Sequence, residues 1–138
     1  MQFKFLENFS NFAMLFMRIG LGLSYMLIHG WSKITGGPET WEGIGSRMSY
    51  VGVEFMPVFW GFMASFAEFF GGLLLLLGLF YRPAVALLAI TMFVATAYHL
   101  GTGDGWGGSA HSLKMAVVFI GMLFMTPGRY SLDRILFK

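Results

Sequence analysis

Residues 57–80, PVFWGFMASFAEFFGGLLLLLGLF, carry a single charged side chain, Glu68, in an otherwise apolar run. At a rise of ~1.5 Å per residue such a run, coiled as a helix, crosses the ~30 Å hydrocarbon layer of a bilayer. In lipid the backbone must satisfy its own polar groups, and a helix does so within one segment. The neighbouring stretches repeat the pattern. Tyr81-Arg82-Pro83 makes a tight turn into a second apolar run over about 83–100, and another follows over about 110–125, closed by Thr126-Pro127-Gly128. Upstream, residues 11–30 are apolar except for Arg18. A membrane barrel would need alternating segments of about ten residues, and none is seen. The reading is an all-α integral membrane protein, a single domain built as a four-transmembrane-helix bundle.

Composition agrees. Of 138 residues, 57% are hydrophobic and only 12% charged, about half the charged share usual in soluble domains, and mean hydropathy is +0.69. So little polar surface leaves the lipid bilayer as the natural partner. The net charge is +2, but the basic residues are too scattered for a nucleic-acid footprint. The chain has no cysteine, which excludes disulfides, thiolate metal sites and a thiol relay. Lys4 ahead of an apolar run resembles a signal peptide, yet Arg18 interrupts the run and no A-x-A-like site follows.

With four spans, Lys4, Arg82, Arg129, Arg134 and Lys138 fall on one side. Lys33 and Arg47 fall on the other, diluted by Glu39, Glu42, Glu54 and Asp104. The excess of Lys and Arg puts both termini in the cytoplasm. In the first outer connection, residues 31–56, Trp41, Ile44, Met48, Val51 and Phe55 recur near helical spacing. This fits a short interfacial or re-entrant helix, or a solvated loop with an aromatic anchor. The second, Gly101 to Gly108, has five glycines and reads as a flexible loop. Gly20 with Ser24, Gly61 with Ser65, and Gly71-Gly72 are spaced for close helix packing.

Ionisable groups in hydrocarbon need partners or access to water. Counting residues places Arg18 roughly 12 Å, Glu68 roughly 18 Å and Lys114 roughly 20 Å from the inner boundary, so an Arg18–Glu68 ion pair is expected. His29, His99 and His111 sit at the outer ends of three different helices. Arg18, Gly22, Tyr25 and His29 share one helical face. A polar channel would then be lined by His29, Tyr25, Arg18, Glu68, Lys114, His111 and His99. His29, His99, His111 and Lys114 are the candidates for catalysis or proton handling; Arg18, Tyr25 and Glu68 are those for ligand binding. Such groups suit the head group and protons of a quinone. Haem fits less well, because the histidines lie near the edge and c-type attachment needs cysteines. No spacing supports a metal site, and the methionines scatter as packing residues. Taken singly, each histidine is as well explained by a backbone carbonyl or interfacial water.

The motifs resemble the DoxX family of small bacterial and archaeal membrane proteins. They are Arg18-x-Gly20 with Leu27-x-His29-Gly30-x-x-Lys33; Glu68-x-x-Gly71-Gly72 with Leu76-x-Gly78-Leu79-Phe80-x-Arg82-Pro83; Ala97-Tyr98-His99; and Pro127-Gly128-Arg129-Tyr130-Ser131-Leu132-Asp133. His111-Ser112-Leu113-Lys114 departs from the helix start associated with much of the family. The resemblance implies a four-helix bundle in the cytoplasmic (inner) membrane. It also implies membrane redox work, with a quinone and a soluble or membrane redox partner, this chain being the quinone-facing part of an oxidoreductase system. Two alternatives remain open: a non-enzymatic scaffold or assembly partner, and a small-molecule or lipid transporter. For the latter a homo-oligomer would supply the repeat that one chain lacks.

Overall fold

The computed structural model describes residue 6 and residues 9–137, and among these it is entirely helical, without strands. Lys4 and Lys138, part of the charge count above, lie outside the described residues. α1 (Ser10–Leu23) continues through a π-helical segment (Ser24–Gly30) into α2 (Trp31–Ile34). α3 (Gly37–Gly45) runs into a 3₁₀ segment (Ser46–Val51). Then come α4 (Pro57–Leu77), α5 (Tyr81–Gly101), α6 (Gly105–Leu123) and the short α7 (Leu132–Leu136). Three helices are long and apolar enough to cross a membrane: Ser10–Ile34, Pro57–Leu77 and Tyr81–Gly101. Large apolar side chains such as Phe16, Ile90 and Phe93 point outward, as lipid-facing positions would.

α1 and α4 cross with backbones in contact. A Cβ on Gly22 would lie 2.7 Å from the Gly72 carbonyl oxygen, and one on Gly30 would lie 2.6 Å from the Phe69 backbone. Gly20, expected to pack, instead faces open space, so the close-packing glycines of this helix are Gly22 and Gly30. Gly61 meets the Trp41 backbone and so seats α3 against α4, while Trp41 stacks edge-on over Phe62 at 5.0 Å. The connection over residues 31–56 is therefore mostly helical, held by glycine contact and an aromatic pair. Gly101–Gly108 is not a long loop. α5 ends in a short turn around Gly103, and Gly105 already starts α6, so only residues 102–104 remain between helices. α5 and α6 are tied by a buried bond from Thr96 Oγ1 to Ser112 Oγ, 3.0 Å. Leu75, Leu88, Met92 and Phe119 form the centre of the core.

Arg18, 1% exposed, closes the end of the bundle. Its Nε donates to the Leu75 carbonyl (3.1 Å) and Nη2 to that of Leu76 (3.0 Å). Nη1 donates to those of Pro127 (3.0 Å) and Tyr130 (3.1 Å). Two of these acceptors belong to the last turn of α4, where carbonyls run out of helical partners; that of Leu75 also accepts the N–H of Gly78 at the helix end (3.1 Å). Gly78, with φ +64°, follows α4; a Cβ there would lie 2.6 Å from the Arg18 guanidinium carbon. Asp133 completes the joint, accepting the backbone N–H of Phe80 (2.7 Å) and of Tyr81 (2.8 Å) at the start of α5. Phe80 is held at φ +45°, a conformation that a bulky residue rarely adopts. Pro83 then sits in the first turn, where its missing N–H costs no hydrogen bond.

The Arg18–Glu68 ion pair is not formed. Arg18 reaches carbonyls seven and eight residues beyond Glu68, about 10 Å farther along α4. Depth counting was too coarse to separate two levels of one helix.

Arg18→Ala should cost more than about 3 kcal/mol, because several buried carbonyls lose charged donors together. Arg18→Lys should recover little of it, since an ammonium cannot span acceptors on two elements. Asp133→Ala should cost about 1–2 kcal/mol, as loss of a helix cap does. Thermal unfolding in detergent checks all three, and an Arg18→Lys variant as stable as the wild type would contradict the forked geometry.

Candidate functional site

The polar side chains separate into two levels instead of lining one channel. Arg18 is at the closed end with its donors spent on backbone. At the other level, Glu68 is buried on α4 and accepts a 2.6 Å charged hydrogen bond from Lys33 Nζ. The Glu68 side chain is 5% exposed and that of Lys33 31%, so the pair bridges interior and surface. Lys33 comes from α2, reached through the π-helical segment. A π-turn changes which side chains face inward and is often found at functional positions. Here the segment carries Tyr25 and His29.

Tyr25 is buried and donates to Met92 Sδ at 3.1 Å. Its ring lies 5.1 Å from that of His29, which stacks on His111 of α6 at 5.4 Å and 27°. His111 is exposed. Lys33, which bonds Glu68, lies one helical turn beyond His29. The result is a row of proton-bearing groups running from the Lys33–Glu68 pair through His29 to the surface at His111.

Two candidates stand apart from this row. His99 Nδ1 donates to Asp104 Oδ2 at 2.7 Å, and its ring lies against Tyr98. Lys114 lies one turn beyond His111, exposed on α6, and makes no ion pair among the described residues. The expectation that it lines an inward channel with Glu68 and the histidines is not met, because it lies on the exposed side of α6. His29 and His111 stack ring on ring, so they turn faces rather than ring nitrogens toward each other, and an axially ligated haem iron does not fit between them. Among the described residues, no three His, Asp or Glu side chains converge as a metal site would require.

Sequence reasoning missed Lys33 as a partner for Glu68. It lies one helical turn beyond His29, in the same motif, but past the expected end of the first helix. Arg47 and Trp60 were missed as well. Trp60, Ala64 and Glu68 are spaced four apart on one face of α4, a pattern legible only once Glu68 is known to face inward.

Residues 13–100, more than half of the chain, match the family model DoxX. The chain belongs to the DoxX family. It is a multi-pass membrane protein whose matched region contains Arg18, Tyr25, His29, Lys33 and Glu68. The match ends before α6, so His111, Lys114 and the Pro127–Asp133 motif lie beyond it. No curated protein and no solved structure matches the chain.

Lys33→Met should destabilise by about 1–3 kcal/mol. That is below the ~3–5 kcal/mol typical of a wholly buried pair, because Lys33 is partly exposed. Adding Glu68→Leu should restore most of the loss, and a double-mutant cycle with no coupling would refute the pair. At the surface, the hydrogen bond from His99, helped by the Thr102 hydroxyl, holds the Asp104 carboxyl below the usual carboxylate range. A carboxyl depressed on folding stabilises fully above its unfolded value and loses that contribution as pH falls through the folded one. Between pH 6 and pH 3, Asp104→Asn should therefore lose less unfolding temperature than the wild type.

Proposed function

We propose that this protein is the membrane, quinone-facing component of an oxidoreductase system in the cytoplasmic membrane of a bacterium or archaeon. α6 serves as the fourth span. It has 19 residues, and its polar first half, including Ser109, His111, Ser112 and Lys114, lowers its hydropathy. Arg82 and Arg134 lie together near Pro127, and the Arg129 N–H donates to the Asn11 side chain at the same end. Those cations favour a cytoplasmic location for that end and for both termini.

The observation that carries the redox reading is Glu68, a buried carboxylate bonded to Lys33 and followed by Tyr25, His29 and His111 toward the surface. Reducing a quinone to its quinol takes up two electrons and two protons. Electrons would come from a soluble or membrane partner, since this chain has no cysteine and, among the described residues, no three His, Asp or Glu side chains gathered to hold a metal. Protons are what its own residues are suited to pass. An imidazole is the side chain best matched to exchange near neutral pH. In this reading water carries protons between the exposed His111 and the half-buried His29, whose rings meet face to face, and the Lys33–Glu68 pair is the inner terminus. Arg18 belongs to the architecture and not to the chemistry.

Native mass spectrometry of the protein, extracted in mild detergent from its own membrane, tests this. A retained quinone is expected, with Glu68→Gln and His29→Phe keeping it but, once it is chemically reduced, exchanging the hydroxyl protons of the quinol at least tenfold more slowly with external buffer. Retention of phospholipid alone, with unchanged behaviour of both variants, would turn the reading toward a scaffold or lipid-handling role.

A further inference from the structure

A cavity of about 300 Å³ lies between α4 and α5, under the lid made by α3 and the 3₁₀ segment. Met63, Ala64 and Ala67 wall one side and Leu87 and Val94 the other. Ile90, at its edge, is 62% exposed on α5, so the mouth opens sideways, where hydrocarbon would surround the helix.

The polar groups on its wall are unequally satisfied. Lys33 and Glu68 bond each other, and Thr91 Oγ1 donates to the Leu87 carbonyl at 2.8 Å. Trp60 Nε1 is buried without an acceptor, the one such side-chain nitrogen or oxygen among the described residues. A buried indole N–H ordinarily finds a partner, so an orphan here marks a place prepared for one. Arg47, its guanidinium 4.5 Å above the Tyr98 ring, forms no ion pair among the described residues. Both unused groups are donors, and with Lys33 and Glu68 cancelling, the wall carries one net positive charge. The occupant must then offer an acceptor oxygen on an apolar body. A volume at the lower end of ligand pockets admits one ring or one chain, not a two-chain lipid.

We infer that this cavity takes up, laterally from the membrane, an apolar molecule bearing a carbonyl or carboxylate oxygen, received by Trp60 Nε1–H and the Arg47 guanidinium. A quinone and a fatty acid share that oxygen chemistry. For the quinone the inference rests on the redox reading above; for the fatty acid it stands apart from it. Glu68 and Lys33 both line this cavity, and Lys33 lies one helical turn beyond His29, so an occupant here lies beside the start of the histidine row.

The test uses the full chain in lipid nanodiscs with two probes, a decyl-substituted benzoquinone and laurate, measured by equilibrium dialysis against empty nanodiscs. At least one probe should saturate a single site. Trp60→Phe, which keeps an aromatic ring on the wall and removes the N–H, should weaken it about five- to tenfold, as loss of one buried hydrogen bond does. Ala64→Leu, which fills the cavity, should abolish it, and both variants are checked for wild-type unfolding temperature. Arg47→Met should weaken laurate more than the quinone. Saturation by laurate alone would uphold the site while removing its quinone. A quinone bound equally by wild type, Trp60→Phe and Ala64→Leu would overturn the site and leave the redox reading standing. No saturation by either probe would overturn the inference.

Discussion

A helix that ends in a membrane leaves its last carbonyls without partners, and in hydrocarbon there is no water to supply them. Arg18 answers this constraint for α4. Its planar fork reaches two carbonyls of the final helical turn and two of the segment that follows α6, tying the first, second and last parts of the chain at one point. The charge that would be most costly in lipid is thus spread over four dipoles. Asp133 reinforces the same joint by capping α5.

Because Arg18 is occupied there, Glu68 is left to Lys33. The π-helical segment makes this possible by carrying the first helix past Gly30 and turning Tyr25, His29 and then Lys33 toward α4 and α6. The molecule is therefore divided. One end is locked by a guanidinium and a carboxylate that hold backbone; the other gathers side chains able to exchange protons. Gly22, Gly72 and Gly30 draw the two supporting helices together between those ends, which fixes the distance from Lys33 to Glu68.

Much of this was legible in the residues. Long apolar runs set the helices, and the helical spacing of Trp41, Ile44 and Met48 left open a helix or a loop in the first connection, where the structure has a helix. The meeting of Tyr25 with His29, and of His29 with His111, followed from their common level. Other features were not legible, for definable reasons. Hydropathy gives depth but not the angle around a helix, so Lys114 could not be distinguished from an inward residue. A π-turn has no clear signature in sequence, so Lys33 was counted as a topology signal beyond the helix. Glycine at Gly105, Gly107 and Gly108 suggested a loop, yet all three lie in the exposed first turn of α6, which shows that glycine lowers helix propensity without forbidding a helix. The partner of Arg18 was misassigned because backbone carbonyls, which every residue carries, leave no trace in a search for acidic residues.

The pairing of Glu68 with Lys33, and of Arg18 with backbone, is the claim on which the division between architecture and chemistry stands. Solid-state NMR of the protein in bilayers measures it directly, through dipolar coupling from Glu side-chain ¹³Cδ to ¹⁵N placed either in Lys Nζ or in Arg guanidinium groups. The account predicts strong coupling of Glu68 to the Lys33 nitrogen, matching a 2.6 Å contact, and none to Arg18. Coupling of Glu68 to the Arg18 guanidinium, with Lys33 silent, would contradict it.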